Sequence, residues 1–413
     1  MDAKQTLGEP RALVSRSALL HNAGIVRARV GAGVKICAII KADAYGHGVG
    51  HVLDALTGSQ RSGSGSPVTS GSAVDALAVA SIDEAQSLPS TPLPVLIFRP
   101  IENVYLGCQR EKLEAAIRSG WVLTVTTAAA VDDVARIAVT IGKRAVLQIM
   151  LDTGMTRSGT SPESLCDLIA SIDAKPSLKL WGICTHFASS EEPDNTFTGE
   201  QLARYRAAVA PLVARRPSRL TRHAANSGAI FFHPGTHLDM VRPGISLYGI
   251  DPTGRPNINR KLRPVMKWTA PIVEILNVPA GANVGYNQSW TASRASRIAL
   301  VPVGYADGYL RCFSNRATVV LHDRGVPVAG RVSMDLTTLD ITDVPQARAG
   351  DEVTLLDSDP LSPASVYRLA ELADTIPYEI FCRIGSRIKR VAVDVEENPE
   401  IEHGEGVGEA FLE

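Results

Sequence analysis

The sequence lacks any long hydrophobic segment, since no apolar run reaches the length of about 18 residues that a membrane-spanning helix needs. A signal peptide is missing as well, because Asp2 and Glu9 lie where such a peptide has its basic and apolar regions. We therefore expect neither secretion nor contact with a membrane, and we predict a cytoplasmic location.

An excess of either charge is also absent, with 42 lysines and arginines against 43 aspartates and glutamates and a formal net charge of -1. Proteins that bind nucleic acids carry a surplus of basic residues that neutralises phosphates, so no nucleic acid is expected as a partner. The contents of hydrophobic residues (45%) and charged residues (21%) are typical of a globular protein and exclude a disordered or coiled-coil chain.

No pair of cysteines has the C-x-x-C spacing of zinc sites, and we interpret all six as reduced thiols. They are Cys37, Cys108, Cys166, Cys184, Cys312 and Cys382. His47 and His51 have the i, i+4 spacing of metal ligands on a helix, but a third ligand is lacking. His233 and His237 enclose a Pro-Gly pair, which prevents a shared helical face. We therefore predict no metal site.

Short apolar runs alternate with amphipathic stretches in the first 252 residues. The runs occupy residues 36–40, 76–80, 94–98, 121–125, 146–151, 180–187, 220–225 and 240–248, and the clearest helical stretches occupy 112–119, 129–142 and 200–216. An opening helix is predicted from Leu19 to Val30, with Ser15 or Ser17 as its N-cap. Strands buried on both faces that alternate with helices indicate a parallel α/β fold. Eight units in about 250 residues favour a closed (β/α)8 TIM-like barrel over an open sheet.

The pattern changes near residue 252 to strand-like runs separated by Gly, Pro, Asp and Asn, which predicts a mostly antiparallel β domain. We accordingly expect a barrel domain at 1–252, a C-terminal β domain at 253–395 and an acidic tail at 396–413. The Ser/Gly-rich segment 57–72 has the composition of a flexible surface insertion in the barrel.

Polar residues follow several predicted strands directly. Lys41 follows the first strand, and the carboxyl ends of barrel strands carry the catalytic side chains of such folds. Taken alone, Lys41 is better explained as a lysine that snorkels from a strand end into solvent. Three other strand ends are also polar, at residues 152–159, at His186 and at Asn226-Ser227. Polar residues at four strand ends together favour a shared pocket.

Two segments near the last strands have the features of an anion cradle. Asn226 and Ser227 lie where a loop meets a helix start, and Gly244 and Ile245 precede the next turn. Backbone N–H groups and a serine hydroxyl at such positions bind a phosphate, although a simple helix cap explains the same pattern. A lysine and a phosphate cradle on one barrel face indicate pyridoxal phosphate, whose aldehyde bonds covalently to lysine.

The chain resembles a known family over nearly its whole length, apart from the Ser/Gly segment and the acidic tail. The segments IIKADAYGHG, VASIDEA, LDTGMTRSG, GICTHFA, ANSGA, MVRPGISLYG, VGYADGYLR, AGRVSMD and YEIFCRIGSRIKRV occur in the order typical of the alanine racemases, barrel-type (fold type III) pyridoxal-phosphate enzymes. The resemblance implies a homodimer with shared active sites and a pyridoxal 5'-phosphate cofactor. It also implies a two-base interconversion of L- and D-alanine that supplies D-alanine for peptidoglycan.

The resemblance assigns the two proton-transfer groups. Lys41 corresponds to the lysine that binds the cofactor and serves one of its faces, and Tyr286 corresponds to a tyrosine that reaches the other face from the partner subunit. Two groups are needed because the proton leaves one face of the substrate and returns on the other. His186 and Arg242 resemble a relay that assists the tyrosine, whose ordinary pKa is about 10. Arg242 also corresponds to the partner of the cofactor's pyridine nitrogen.

Further roles follow from the same resemblance. Arg157 corresponds to an arginine that contacts the cofactor ring oxygen and the substrate carboxylate, and the phosphate contacts match Tyr45, Ser227, Gly244 and Ile245, with Asn226 beside them. The resemblance implies that Met334 and Asp335 form the substrate-carboxylate edge from the partner subunit. It also implies a polar access channel of Tyr305, Asp307, Arg311 and Arg331.

Two positions depart from the family pattern. Met150 occupies the position of a lysine that many members carry in carbamylated form to orient the equivalent of Arg157, so no carbamate can form there. Ser386 replaces a tyrosine on the phosphate side, which makes a wider pocket conceivable.

Three other functions stay open at this point. One is a racemase of broader specificity that acts on serine or larger side chains, and the Ser386 departure motivates it. Another is a fold-type III decarboxylase, which requires a reactive cysteine where VSMD has Ser333. The third is a non-catalytic pyridoxal-phosphate carrier, in which the β domain with Tyr286 would lack a purpose.

Overall fold

The computed structural model describes residues 8–58, 72–101, 109–215 and 220–394. Cys108, most of the predicted insertion 57–72 and the predicted tail 396–413 lie outside these residues. Within them, no helix has both the length and the apolar character needed to cross a membrane. The same residues contain no group of three or more histidine, cysteine, aspartate or glutamate side chains arranged to hold a metal ion.

Eight strands of the described chain close into a barrel of parallel neighbours, as the sequence predicts. They are β2 (Lys35–Ile39), β3 (Ala76–Val79), β4 (Val95–Ile97), β5 (Val122–Val125), β6 (Ala145–Met150), β7 (Leu178–Cys184), β8 (Thr221–His223) and β9 (Met240–Val241). The barrel closes where Lys35 of β2 pairs with Met240 of β9. Each strand overlaps one of the eight apolar runs.

One helix precedes the first barrel strand, and the other helices of this part connect the barrel strands. They are α1 (Arg16–Val30), α2 (Val49–Thr57), α3 (Ile82–Gln86), α4 (Arg110–Arg118), α5 (Ala128–Thr140), α6 (Leu165–Asp173), α7 (Phe197–Arg215) and α8 (Ser227–Phe232). Ser15 is the N-cap of α1, because its Oγ accepts a hydrogen bond of 3.1 Å from the N–H of Ala18. The predicted opening helix is therefore confirmed, and its N-cap is Ser15 and not Ser17.

The C-terminal part is built from mostly antiparallel strands, which confirms the second half of the predicted fold class. They are β10 (Met266–Pro271), β11 (Glu274–Val278), β12 (Asn283–Val284), β13 (Trp290–Thr291), β14 (Ser296–Val301), β15 (Thr318–Leu321), β16 (Arg324–Pro327), β17 (Thr337–Asp340), β18 (Glu352–Leu356) and β19 (Lys389–Val393). Two helices, α9 (Val366–Leu372) and α10 (Pro377–Arg383), precede β19.

The first strand of the chain belongs to this C-terminal sheet and not to the barrel. In the sheet order β16-β15-β18-β10-β1-β19, strand β1 (Arg11–Ser15) lies antiparallel to β10 and parallel to β19. The residues before α1 were counted with the barrel in the sequence-based division, because local hydrophobic patterns do not reveal such a distant pairing. The division near residue 252 itself stays a prediction.

The chain leaves the barrel through a segment that is held against α1. Asn22 is fully buried, and its Nδ2 donates to the carbonyls of Leu247 (3.0 Å) and Arg263 (2.8 Å). Gly249 has a φ of 81°, and a Cβ at this position would overlap the carbonyl of Arg263. Both the left-handed backbone and the close contact require glycine.

We expect Gly249→Ala to lower the free energy of unfolding by roughly 3 kcal/mol or more, because the overlap adds to the cost of about 1 kcal/mol that this backbone imposes on alanine. Gly142→Ala is the matched control, since Gly142 has a φ of 64° but open space around its Cβ position. Urea unfolding followed by circular dichroism measures both losses. Equal losses in the two variants would show that the Arg263 contact is unimportant.

Candidate active site

A cavity of about 1010 Å³ opens at the carboxyl ends of the barrel strands. Nine residues that the sequence analysis connects with the cofactor line it: Lys41, Tyr45, Arg157, His186, Asn226, Ser227, Arg242, Gly244 and Ile245. These residues follow five different strands, so they meet only because the barrel closes. The shared pocket inferred from polar strand ends corresponds to this cavity.

Lys41 begins a turn in which the backbone is left-handed. From Ala42 to Tyr45 all φ angles lie between 52° and 55°. This conformation costs residues other than glycine about 1–2 kcal/mol each, and strained backbone of this kind concentrates at functional sites. The turn presents the Lys41 side chain to the cavity at one end and Tyr45 at the other.

Carboxylates hold this turn in place. Glu84 of α3 accepts hydrogen bonds from the N–H groups of Ala42 (3.0 Å) and Ala80 (2.6 Å), and so ties the turn to the end of β3. Asp43 accepts a bond of 2.7 Å from the N–H of Val49 at the start of α2. These bonds offset part of the strain, because they provide acceptors for backbone N–H groups that have no partner within a regular helix.

The surroundings of Lys41 favour its neutral amine. Burial by the neighbouring protein lowers the pKa of Lys41, and the positive charge of Arg157 lowers it further, while Glu84 acts in the opposite direction. The neutral amine is the nucleophilic form of lysine. A lowered pKa therefore raises the fraction of Lys41 able to attack a carbonyl carbon at neutral pH.

Arg242 is a buried cation whose hydrogen bonds run to neutral groups. It is 3% exposed, and its guanidinium donates to the carbonyls of Thr185 (2.8 Å) and Ala224 (2.9 Å). It also contacts Nδ1 of His223 at 3.0 Å and Nδ1 of His186 at 3.3 Å. A guanidinium can only donate, so both imidazoles accept through Nδ1 and carry their proton on Nε2.

Both of these histidines are held neutral. Burial lowers the pKa of His186 to about 3, assisted by the positive charges of Arg242, Arg157 and Lys41. Burial and Arg242 also lower the pKa of His223 well below its usual value. His186 thus presents a neutral imidazole with an N–H donor at the edge of the cavity.

Another part of the cavity wall has the features of an anion cradle. The Oγ of Ser227 accepts hydrogen bonds from the N–H groups of Gly244 (3.0 Å) and Ser246 (3.3 Å). A Cβ on Gly244 would lie 2.5 Å from the Oη of Tyr45, so only glycine allows this approach. Burial raises the pKa of Tyr45, which keeps its hydroxyl protonated. Asn226 caps α8 through its Oδ1.

Seven other residues predicted for the site lie in the C-terminal part and do not line this cavity: Tyr286, Tyr305, Asp307, Arg311, Arg331, Met334 and Asp335. Tyr286 is 68% exposed and Met334 is 54% exposed. Within one chain, the predicted second base is therefore separate from Lys41 and open to solvent.

The loops that carry these residues are nevertheless tied together. The N–H of Tyr305 donates to the carbonyl of Ser333 at 3.0 Å. Arg387 forms ion pairs of 2.9 Å with both Asp307 and Asp335. Ordered, exposed side chains on a braced surface are suited to contact with another protein surface.

Sequence reasoning missed a group of cavity residues. Tyr378, Glu379 and Cys382 of α10 line the cavity, as do Phe98 and Arg99 at the end of β4. The position of Phe98 at the end of a predicted barrel strand, with Arg99 directly after it, was a signal for them. No local pattern could show that α10, which follows the C-terminal strands, returns to the mouth of the barrel.

The two departures from the family pattern differ in location. Met150 lines the cavity, as does Arg157, whose guanidinium forms no hydrogen bond with any described residue. Ser386 lines a separate cavity of about 440 Å³ together with Asp43 and His51. The serine at this position therefore does not border the main cavity.

The fold and the cavity together define a barrel protein in which a lysine of lowered pKa at a strand end and a candidate anion cradle line the same cavity. Residues 14–252 match the family model described as "Alanine racemase, N-terminal domain", and residues 265–392 match "Alanine racemase, C-terminal domain". The chain belongs to the alanine racemase family, whose members are isomerases.

Individual relatives support the same assignment. The chain is 35% identical over 384 residues to an alanine racemase of Chlorobaculum tepidum, which covers 92% of this chain and 95% of the relative. A solved alanine racemase of Clostridium difficile 630 superimposes with a TM-score of 0.83 at 30% identity, covering 94% and 96% of the two chains. An alanine racemase of Bartonella henselae, solved with covalently bound pyridoxal phosphate, gives a TM-score of 0.77 at 27% identity, covering 93% and 99%.

We expect the imidazole of His186 to stay neutral from about pH 5 to pH 8, because its pKa in the folded protein is about 3. The unfolded chain binds this proton near pH 6.5, so the free energy of unfolding should fall as the pH drops from about 6.5 towards 3. NMR of the protein with labelled histidine, assigned by comparison with His186→Gln, measures the titration. A His186 midpoint near 6.5 would contradict the proposed electrostatics.

Proposed function

We propose that this protein is an alanine racemase that interconverts L- and D-alanine with pyridoxal 5'-phosphate and supplies D-alanine for peptidoglycan. Family membership supports the reaction, and the Bartonella henselae relative supports the cofactor. The observation that carries the proposal is Lys41, a lysine of lowered pKa that lines the same cavity as the residues of the candidate anion cradle. A location in the cytoplasm remains an expectation.

The cavity residues fit the functional groups of this cofactor. Lys41 would bind the aldehyde carbon, and the Nε of Arg242, which has no acceptor among the described residues, would donate to the pyridine nitrogen. The phosphate would be held by Tyr45, Asn226, Ser227, Gly244 and Ile245. When bound, pyridoxal phosphate withdraws electrons from the α-carbon of the amino acid and makes its hydrogen acidic.

Arg242 would limit how strongly this electron withdrawal acts. A guanidinium keeps its proton at any working pH, so Arg242 would donate a hydrogen bond to the ring nitrogen without protonating it. An unprotonated ring accepts less negative charge, which disfavours side reactions such as transamination. The neutral acceptors around Arg242 support this role, because no carboxylate of the described chain is bonded to it.

Two proton-transfer groups on opposite faces account for racemisation. Lys41 would remove or return the α-proton on one face, and Tyr286 of the partner subunit would do so on the other. Tyr286 is exposed on its own chain, which supports a homodimer whose sites are completed by the second copy. His186 would donate its Nε2–H towards the tyrosine oxygen and so stabilise the phenolate form.

The substrate carboxylate would accept hydrogen bonds from the guanidinium of Arg157 of one subunit and, on the edge formed by Met334 and Asp335 of the other, chiefly from the backbone N–H of Met334. The guanidinium of Arg157 bonds to none of the described residues, which supports this assignment, since such an arginine at a cavity wall suits a carboxylate. The polar access channel would comprise Tyr305, Asp307, Arg311 and Arg331 of the partner subunit.

The alternatives have less support. The hypothesis of a racemase with broader specificity rests on Ser386. This serine borders the smaller cavity and therefore does not enlarge the main one. The curated relatives of this chain are named alanine racemases, which disfavours a decarboxylase or a non-catalytic carrier.

We expect the purified protein with pyridoxal phosphate to convert L-alanine to the D-enantiomer and back, as measured by chiral chromatography. Borohydride reduction should fix the cofactor to a peptide that contains Lys41, since Lys41 is the one lysine among the described residues that lines the cavity. Fixation on a different lysine would refute the assigned nucleophile, and release of CO₂ without racemisation would indicate a decarboxylase.

Mixing two inactive variants tests whether the site is shared. Lys41→Ala and Tyr286→Phe should each lower kcat roughly 10²-fold or more, because each removes a proton-transfer group from both sites of a homodimer. A heterodimer would carry both defects in one site and none in the other. With random exchange, about half the dimers are heterodimers, so activity should rise towards about a quarter of the wild-type value.

Subunit exchange is verified independently by mass labelling of one variant. If heterodimers form and activity stays at the level of the separate variants, Tyr286 serves its own barrel or is not the second base. Mixing Lys41→Ala with a second preparation of the same variant is the matched control and should recover no activity.

A further inference from the structure

The loop that carries Arg157 is held by its backbone and not by the arginine side chain. The guanidinium of Arg157 bonds to none of the described residues, and Met150, which also lines the cavity, offers only a thioether, a weak acceptor. The Oδ1 of Asp152 accepts hydrogen bonds from the N–H groups of Gly154 (2.9 Å) and Thr156 (3.1 Å). The direction of the Arg157 side chain therefore depends on what fixes this loop.

Helix α7 supplies a buried polar contact to the loop. Thr153, Thr185 and Gln201 are each at most 3% exposed, and we call them the threonine–glutamine cluster. The Oγ1 atoms of the two threonines lie 2.7 Å apart, and the Nε2 of Gln201 donates to the Oγ1 of Thr153 at 3.3 Å. Buried polar groups cost free energy unless they are paired, so the members of the cluster depend on one another.

The cluster is also bonded to the strand end that carries His186. The Nε2 of Gln201 donates to the carbonyl of His186 at 3.0 Å, and its Oε1 accepts from the N–H of Ala188 at 2.9 Å. The carbonyl of Thr185 accepts from the guanidinium of Arg242 at 2.8 Å. The cluster is therefore anchored to residues that have a fixed place in the site.

A second contact from α7 lies against the same loop. The Nη1 of Arg204 donates to the carbonyl of Thr153 at 2.9 Å. Gly154 has a φ of 130°, and a Cβ at this position would lie 2.8 Å from Nη1 of Arg204 and 2.9 Å from the ring of Phe197. The loop therefore packs directly on α7.

We propose that the threonine–glutamine cluster positions Arg157 for the substrate carboxylate, because the hydroxyl of Thr153 fixes the loop four residues before the arginine. Thr153 is a positioning residue, since it acts through the loop and does not line the cavity. The inference rests on the proposed role of Arg157 and adds what orients it in place of a side-chain partner.

Thr153→Val tests the proposal, because valine keeps the shape of threonine and lacks its hydroxyl. Amide hydrogen exchange, followed by mass spectrometry, should become roughly 5-fold faster in residues 152–159, since the loop loses a buried hydrogen bond. The KM for alanine should rise by roughly the same factor while kcat stays within about twofold. A residue that orients the carboxylate contributes equally to the bound substrate and to the transition state, so its loss raises KM alone.

Two further variants control for packing. Thr198→Val removes another buried hydroxyl of α7, whose Oγ1 has no partner among the described residues, and should leave both the exchange in 152–159 and the KM unchanged. Thr153→Ser keeps the hydroxyl and should return both values close to those of wild type. Thermal unfolding of each variant verifies that it is folded.

The outcomes separate this inference from the proposed function. Exchange and KM that both stay at wild-type values in Thr153→Val would show that the cluster does not hold the loop. Faster exchange without a rise in KM would show that the loop is held but that Arg157 does not depend on it. A fall in kcat at constant KM would place the effect on His186, which also overturns the proposal. If wild type does not racemise alanine, the proposed function is wrong, and the exchange measurement still decides whether the cluster fixes the loop.

Discussion

A buried arginine without a carboxylate partner determines much of this site. Burial of a cation is unfavourable unless hydrogen bonds satisfy its donors, and Arg242 meets this requirement with two backbone carbonyls and two imidazoles. The same bonds orient His186 and His223 with Nδ1 as the acceptor. Burial lowers the pKa of His186, the positive charge of Arg242 lowers it further, and both effects keep a neutral donor at the cavity edge.

The same cavity is also lined by the turn that follows Lys41, whose backbone is strained. The left-handed residues that follow Lys41 persist because Glu84 and Asp43 bind their neighbours and because α10 packs against Gly46. The C-terminal part therefore braces the turn that carries Lys41, the proposed nucleophile. Stability and function are coupled here, since loosening α10 would free the turn to relax into a commoner conformation.

The sequence predicts the barrel because each of its strands is a short buried run, and periodicity is a local property. The same reason explains why the sequence predicts three of the site residues, Lys41, His186 and Arg242. Each of them follows such a run or belongs to a segment that matches the family. The positions of strand β1 and helix α10 could not be predicted from the sequence. They depend on contacts between residues more than 300 positions apart, such as the pairing of Arg11 with Lys389. The left-handed turn after Lys41 could not be predicted either, because its sequence contains alanines, which ordinarily favour a right-handed helix.

The central claim is that two groups serve opposite faces of the substrate. Hydrogen exchange at the α-carbon in deuterated water measures each face separately, because exchange without inversion requires one group only. Tyr286→Phe should exchange the α-hydrogen of one enantiomer at close to the wild-type rate while racemisation is lost. Equal slowing of exchange for both enantiomers would contradict the account, since it would mean that a single group serves both faces.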